Sequence, residues 1–359
     1  MRKTYLTLLA AISLSLTVIP AQAEEAAKKS SMKLVKTIEG SIAPKSVRSS
    51  NDGVISAHNM MYKHSVTIYD SKTFELVKTI PDSVSLKDFG FSKSPSIFRG
   101  SPVEGVFSPD GKYLYVSNYS MYGPGYNKEG SDTCSPSSGF DRSFVYRINR
   151  GNYQIDAIYP VGSVPKVVEV TPNNKYVLAA NWCSYTVSII SIAEQKVVKT
   201  VKIGKYPRGI AISKDSSKAY VAEMGGNRVH VINLEDFSTS FIPIGSNPRA
   251  IVLSPDETKM YVTMNLSGRV ASWDLVENKP GKSVRTGNKA RSLAISSDGS
   301  ELFVVNYLSN TLSKIQTSEM KVLETIKVCP EPIGVTYDNA TENTWIACYR
   351  GQIKIYSNN

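Results

Sequence analysis

Between Pro165 and Pro332 the chain repeats itself about every 42 residues. Its anchors, Pro165, Pro207, Pro248, Ala290 and Pro332, stand 42, 41, 42 and 42 residues apart. Pro44 and Pro102 head two earlier copies, at spacings of 58 and 63 that insertions explain. One order recurs, with Ala290 in the proline's slot of one copy. A proline is followed by a basic or small residue, a short apolar strand and a Ser/Pro/Asp/Gly turn. A second strand then ends in Tyr-Val-x-Asn, and a third alternates Val and Ile. One such unit cannot bury its own apolar face, whereas neighbours set around an axis can. Four short strands per copy and seven copies predict an all-β, seven-bladed propeller with antiparallel blades.

The turns support this reading. Ser108-Pro109-Asp110-Gly111 places Pro and Gly where a tight turn wants them. It returns as Thr171-Pro172-Asn173-Asn174, Ser254-Pro255-Asp256-Glu257 and Ser296-Ser297-Asp298-Gly299. The last copy stops at its third strand, Gln352 to Tyr356. Fourth strands elsewhere read Lys-Val-x-x-Thr-Ile, as in Lys321 to Ile326. The segment Lys33-Leu34-Val35-Lys36-Thr37-Ile38 has the same form. It is expected to pair with 352–356, closing the ring and leaving only short, protected edges. A single propeller domain over 32–359 follows.

These features resemble the YVTN-repeat β-propeller family, named for the strand ending found here at Tyr115-Val116-Ser117-Asn118. Gly204 to Gly209 matches that family's Gly-x-x-Pro-Arg-Gly segment, and the resemblance spans residues 32–356. It implies an exported or cell-surface protein with no assigned reaction. The first copy departs most, with Ala57-His58-Asn59-Met60 at the strand ending.

The N-terminus points to export independently. Arg2 and Lys3 precede an apolar stretch from Tyr5 to Ile19, Pro20 breaks it, and Ala21-Gln22-Ala23 is a small-residue cleavage site. Residues 1–23 are read as a signal peptide and 24–31 as a disordered lead-in. The formal charge of +11 would fall to +9 on losing Arg2 and Lys3. No later apolar run approaches the ~20 residues that cross a bilayer. A monomer without membrane insertion is expected, in the periplasm, at the cell surface or secreted. Four cysteines in an oxidising compartment suggest two disulfides, with three connectivities open to them.

Topology distributes the remaining features. The loops leading into the inner strands and those after Tyr-Val-x-Asn share one face, here called the top. Both insertions, 81–100 and 120–142, fall on it. Cys134 lies in the second insertion and Cys183 at the top of the next blade, which favours that pair. Cys329 and Cys348 both lie near the top of blade seven and form the other. Lys45, Lys166, Arg208, Arg249 and Arg291 each follow an anchor, so they should ring the channel mouth and attract anions. Val103 and Ile333 interrupt that ring. Asn118, Tyr119, Tyr122, Tyr126, Asn181 and Asn306 complete the candidate top-face binding set. Arg48, Glu104 and Glu169 should line the channel.

No metalloprotease, nucleophile-elbow, phosphate-loop or calcium-loop motif occurs. No catalytic residue, metal or cofactor is therefore assigned. The sequence reads as a binding or scaffolding module for an anionic envelope polymer or ligand, or for a cell-envelope partner protein. A lyase or lactonase would instead hold a metal at the mouth, near Glu104, Glu169 or His58. A nucleic-acid-binding propeller would stack bases on Tyr119 and Tyr122 and weaken steeply with salt.

Overall fold

The computed structural model describes residues 31–60 and 62–358. The expected leader and all but the last residue of the lead-in lie outside them. Seven antiparallel sheets form the domain, and all but one have four strands. Each inner strand packs against the inner strand of the next blade. The last, Pro332–Asp338, packs against the first, Pro44–Ser49, so the circle closes. Lys33–Ile38 completes blade seven by pairing antiparallel with Gln352–Ser357, with Leu34 opposite Tyr356 and Ile38 opposite Ile353.

The core lies between blades. Val167, Leu178 and Val187 of blade three meet Ile210 and Val221 of blade four, all buried. Each such aliphatic side chain contributes roughly 1.5–3 kcal/mol on burial. The alternation that makes a strand here also supplies this packing, because both faces of every blade meet a neighbour.

The repeat motif has a local function. Asn181 is buried at the end of its strand. Its side-chain oxygen accepts from the Gly162 amide (3.1 Å), and its nitrogen donates to Thr186 (3.1 Å) and Ser188 (2.9 Å). Asn306 accepts from Thr286 (2.8 Å) and donates to Thr311 and Ser313. These amides tie the inbound loop to the third strand. They face the blade interior, not the mouth. Asn118 is equally buried, but Phe144 and Tyr146 stand where blade three has Thr186 and Ser188, and its amide has no hydrogen-bond partner among the described residues.

Blade two differs from its sequence reading. Its inner strand runs Ile97–Phe107 rather than from Val103, and its second strand continues to Tyr122. A fifth strand, Ser83–Ser85, joins the sheet. The two insertions meet here, with Arg99 opposite Tyr122 and Gly100 opposite Met121. Val84, Leu86, Phe98 and Met121 give this extension its own small core. Serines and glycines around those residues hide the alternation.

Both expected disulfides are present, Cys134–Cys183 and Cys329–Cys348. Bridges of this kind fit an oxidising compartment.

His58 is fully buried between blades one and two. Ser46 Oγ lies 2.8 Å from its Nδ1, and burial lowers its pKa to about 3, so the ring is neutral. A Cβ on Gly105 would stand 2.1 Å from His58 Nε2. The Gly105→Ala variant should therefore lose about 1–3 kcal/mol through overpacking. Denaturant titration of the pair of proteins checks this, and an unchanged midpoint would contradict the packing assigned to His58.

Candidate functional site

The mouth of the axial channel is built by one repeated irregularity. In every blade the ladder shifts register immediately after the anchor, so the next residue has no cross-strand partner. A bulge at that point re-aims a side chain. The residues thus released include Lys45, Lys166, Arg208, Arg249 and Arg291. The preceding residue is left-handed in five blades, at Val164, Tyr206, Asn247, Lys289 and Glu331, with φ of 55–61°. For Val164, β-branched and wholly buried, this is an uncommon conformation.

The structure brings the five cations together. Lys45, Lys166, Arg208, Arg249 and Arg291 line one cavity of about 250 Å³ at the mouth. Lys45, Arg208, Arg249 and Arg291 also line the axial cavity of about 230 Å³ that contains Arg48, Glu104 and Glu169. Lys166, Arg208 and Arg249 are only 6%, 8% and 8% exposed. Burial, then Arg208 and the other cations, holds Lys45 well below the ordinary lysine range. Burial and Arg208 lower Lys166 to about 7 against the pull of Asp132. Guanidinium groups remain charged under such pressure.

A second ring supports the first. The residue after the second strand of five blades, following Asn118, Asn181, Glu223, Asn306 or Cys348, is Tyr119, Trp182, Met224, Tyr307 or Tyr349. Lys166 Nζ lies 3.9 Å from the Trp182 ring centre and 5.4 Å from that of Tyr119. Arg291 lies 3.6 Å over Tyr307, and Lys45 4.8 Å over Tyr349. Arg249 approaches the Met224 sulfur at 3.4 Å. Cation–π contacts of this kind contribute ~0.5–2 kcal/mol each. Of this ring only Tyr119 belonged to the expected binding set. The signal for the rest was positional, one residue beyond each strand ending.

The second insertion reaches the mouth through one side chain. Asp132 forms an ion pair with Lys166, and the Tyr119 hydroxyl donates to the same carboxylate at 3.4 Å. Lys166 and the other cations hold the Asp132 carboxyl well below its ordinary range, although burial alone would raise it. The loop is anchored by the Cys134–Cys183 bridge, by Trp182 Nε1 donating to the Asp132 carbonyl (3.1 Å), and by Tyr185 donating to that of Cys134 (2.7 Å). Trp182 stacks on Tyr206 at 4.3 Å beneath it.

Tyr122 and Tyr126 serve the blade-two extension. Tyr122 donates to Glu129 and meets His64 edge-on at 5.3 Å. Tyr126 meets Phe98 edge-on at 5.8 Å.

Deeper in the channel, Arg48 and Glu169 pair at 2.8 Å. Glu104 makes no side-chain hydrogen bond or ion pair among the described residues, and burial raises its pKa against the pull of Arg208 and Arg48. Arg208 and Lys45 likewise form neither contact through their side chains, and Arg291 Nε is buried without a partner. Among the described residues, no three His, Cys, Asp or Glu side chains gather as metal ligands. His58 faces Gly105 between two blades. The arrangement presents unpaired cations to a small concave space, which is suited to holding an acid group.

No family model matches the chain. Over 153 residues, 40% of this chain, it is 33% identical to Antigen Lp49 of Leptospira interrogans serogroup Icterohaemorrhagiae serovar copenhageni (strain Fiocruz L1-130). The matched region is 33% of that protein's length. Among solved structures the chain is similar to Kuenenia stuttgartiensis hydrazine synthase, with a TM-score of 0.67 and 16% identity over 89% of this chain and 96% of that one. At that identity the likeness shows the fold alone.

Proposed function

We propose that this propeller is an exported binding module of the YVTN-repeat type that captures an acid group at the basic mouth of its channel. The observation that carries the reading is the set of cations without an ion pair among the described residues, Lys45, Arg208, Arg249 and Arg291, around one cavity. Asp132 brings a carboxylate to that cavity, and Glu104 and Glu169 bring theirs to the axial one, where Glu169 is paired with Arg48. The group captured is a small anion, or the acid function of a larger envelope molecule inserted into the mouth. The cations are recessed, and Arg208 and Arg249, like the neighbouring Lys166, are nearly buried. That favours one inserted group over a nucleic-acid backbone, which needs a stripe of surface charge. The apolar run ending at Ala21-Gln22-Ala23 and the two disulfides support export.

Citrate is a suitable first probe for calorimetry. A charge-assisted hydrogen bond is worth ~1.5–3 kcal/mol, so Arg208→Ala, Arg249→Ala and Arg291→Ala should each weaken citrate about tenfold or more. Equal affinity in the triple variant and the parent would refute the mouth as the site.

The lysines set a pH dependence. An anion favours the protonated ammonium, so affinity should be highest below pH 7 and fall as pH rises through about 7, where Lys166 loses its proton. Binding at pH 8 should take up protons, read as a buffer-dependent enthalpy. Lys166→Met should flatten the profile near 7, and an unaltered profile would remove Lys166 from the site.

A further inference from the structure

The reading above leaves Glu104 unexplained. It lines the axial cavity alongside Lys45, Arg208, Arg249 and Arg291. The corresponding positions two residues after the other anchors are Ser46, Val167, Gly209, Ala250, Ser292 and Gly334, all uncharged. The chain descends from the mouth at ~3.3 Å per residue, so Glu104 lies one residue below the cations. Its carboxylate shares the axial cavity with Arg208, Arg249 and Arg291, yet pairs with none of them. The nearby Arg48 is already engaged with Glu169 at 2.8 Å. A carboxylate that only neutralised the mouth would be expected to form an ion pair there.

We infer that the ligand is a small, net-anionic zwitterion, with its acid groups on Lys45, Arg208, Arg249 and Arg291 and its ammonium on Glu104. This deepens the anion-binding reading and rests on it. The charges match such a molecule. Asp132 answers Lys166 and Glu169 answers Arg48, which leaves several cations and one carboxylate facing the cavity. A ligand with two negative charges and one positive charge complements that set. A simple dianion would place no cation opposite Glu104 and would meet repulsion there. Aminodicarboxylates and aminoalkyl phosphates both carry the required groups.

Matched pairs of probes test the inference on the full chain. Glutamate is compared with glutarate, and phosphoethanolamine with ethyl phosphate, by calorimetry at pH 6.5. Each pair differs by the ammonium group. The zwitterion of at least one pair should bind about tenfold tighter than its partner, and the pair that discriminates identifies carboxylate or phosphate as the acid. Glu104→Gln keeps the shape of the side chain and should erase the difference, weakening the zwitterion and tightening the plain acid. Tighter or equal binding of both plain acids to the parent protein would overturn the zwitterion and leave the anion site standing. Failure of all four probes and of citrate to bind would overturn both readings. Preference for the zwitterion that persists in Glu104→Gln would remove Glu104 from the site.

Discussion

Seven blades remain a circle because Lys33–Ile38 and Gln352–Ser357 share one sheet. Residues 33–38 are mostly exposed on the outer rim, so burial contributes little to their affinity for blade seven. The ladder with Gln352–Ser357 does the work, and it covers what would otherwise be a bare strand edge. The inner strands then meet all the way round, and the axis becomes a lined channel. Every feature of the mouth presupposes that closure, since its cations come from blades one, three, four, five and six.

The mouth also illustrates how a repeat holds charge that would otherwise disperse. Like charges in a recess repel, and burial together with that repulsion lowers the lysine pKa values. The bulge after each anchor removes the side chain from the ladder, so the backbone rather than a salt bridge fixes where each cation begins. Aromatic faces and the Met224 sulfur then support the long stems and heads. Lys166 is treated differently, with two aromatic rings and the carboxylate of Asp132 around it.

Periodicity made the architecture legible. The anchor prolines mark the first residue of five inner strands, and the Lys-x-Val-x-Thr-Ile-like segment at 33–38 betrays the closing strand. Cys134 with Cys183, and Cys329 with Cys348, were legible once the blades were numbered. The blade-two extension was not, because Val84, Phe98 and Met121 are too few and too scattered to show a strand period. The asparagines lie away from the expected binding face for a physical reason. A polar residue recurring at one position suggests a shared surface, but Asn181 and Asn306 recur because each inbound loop needs the same internal hydrogen bonds. The second ring is not legible in the sequence because its residue changes from blade to blade, from Tyr to Trp to Met, while its position is kept.

Lys45 and Tyr349 give the mouth a further property. They belong to the first and last blades, and their contact crosses the seam where the circle is completed. A molecule that engages Lys45 from one side and Arg291 of blade six from the other spans blade seven and fastens that seam. Occupancy there would stabilise the closed ring by mass action. The channel mouth is, in this sense, a clasp on the protein's own circumference.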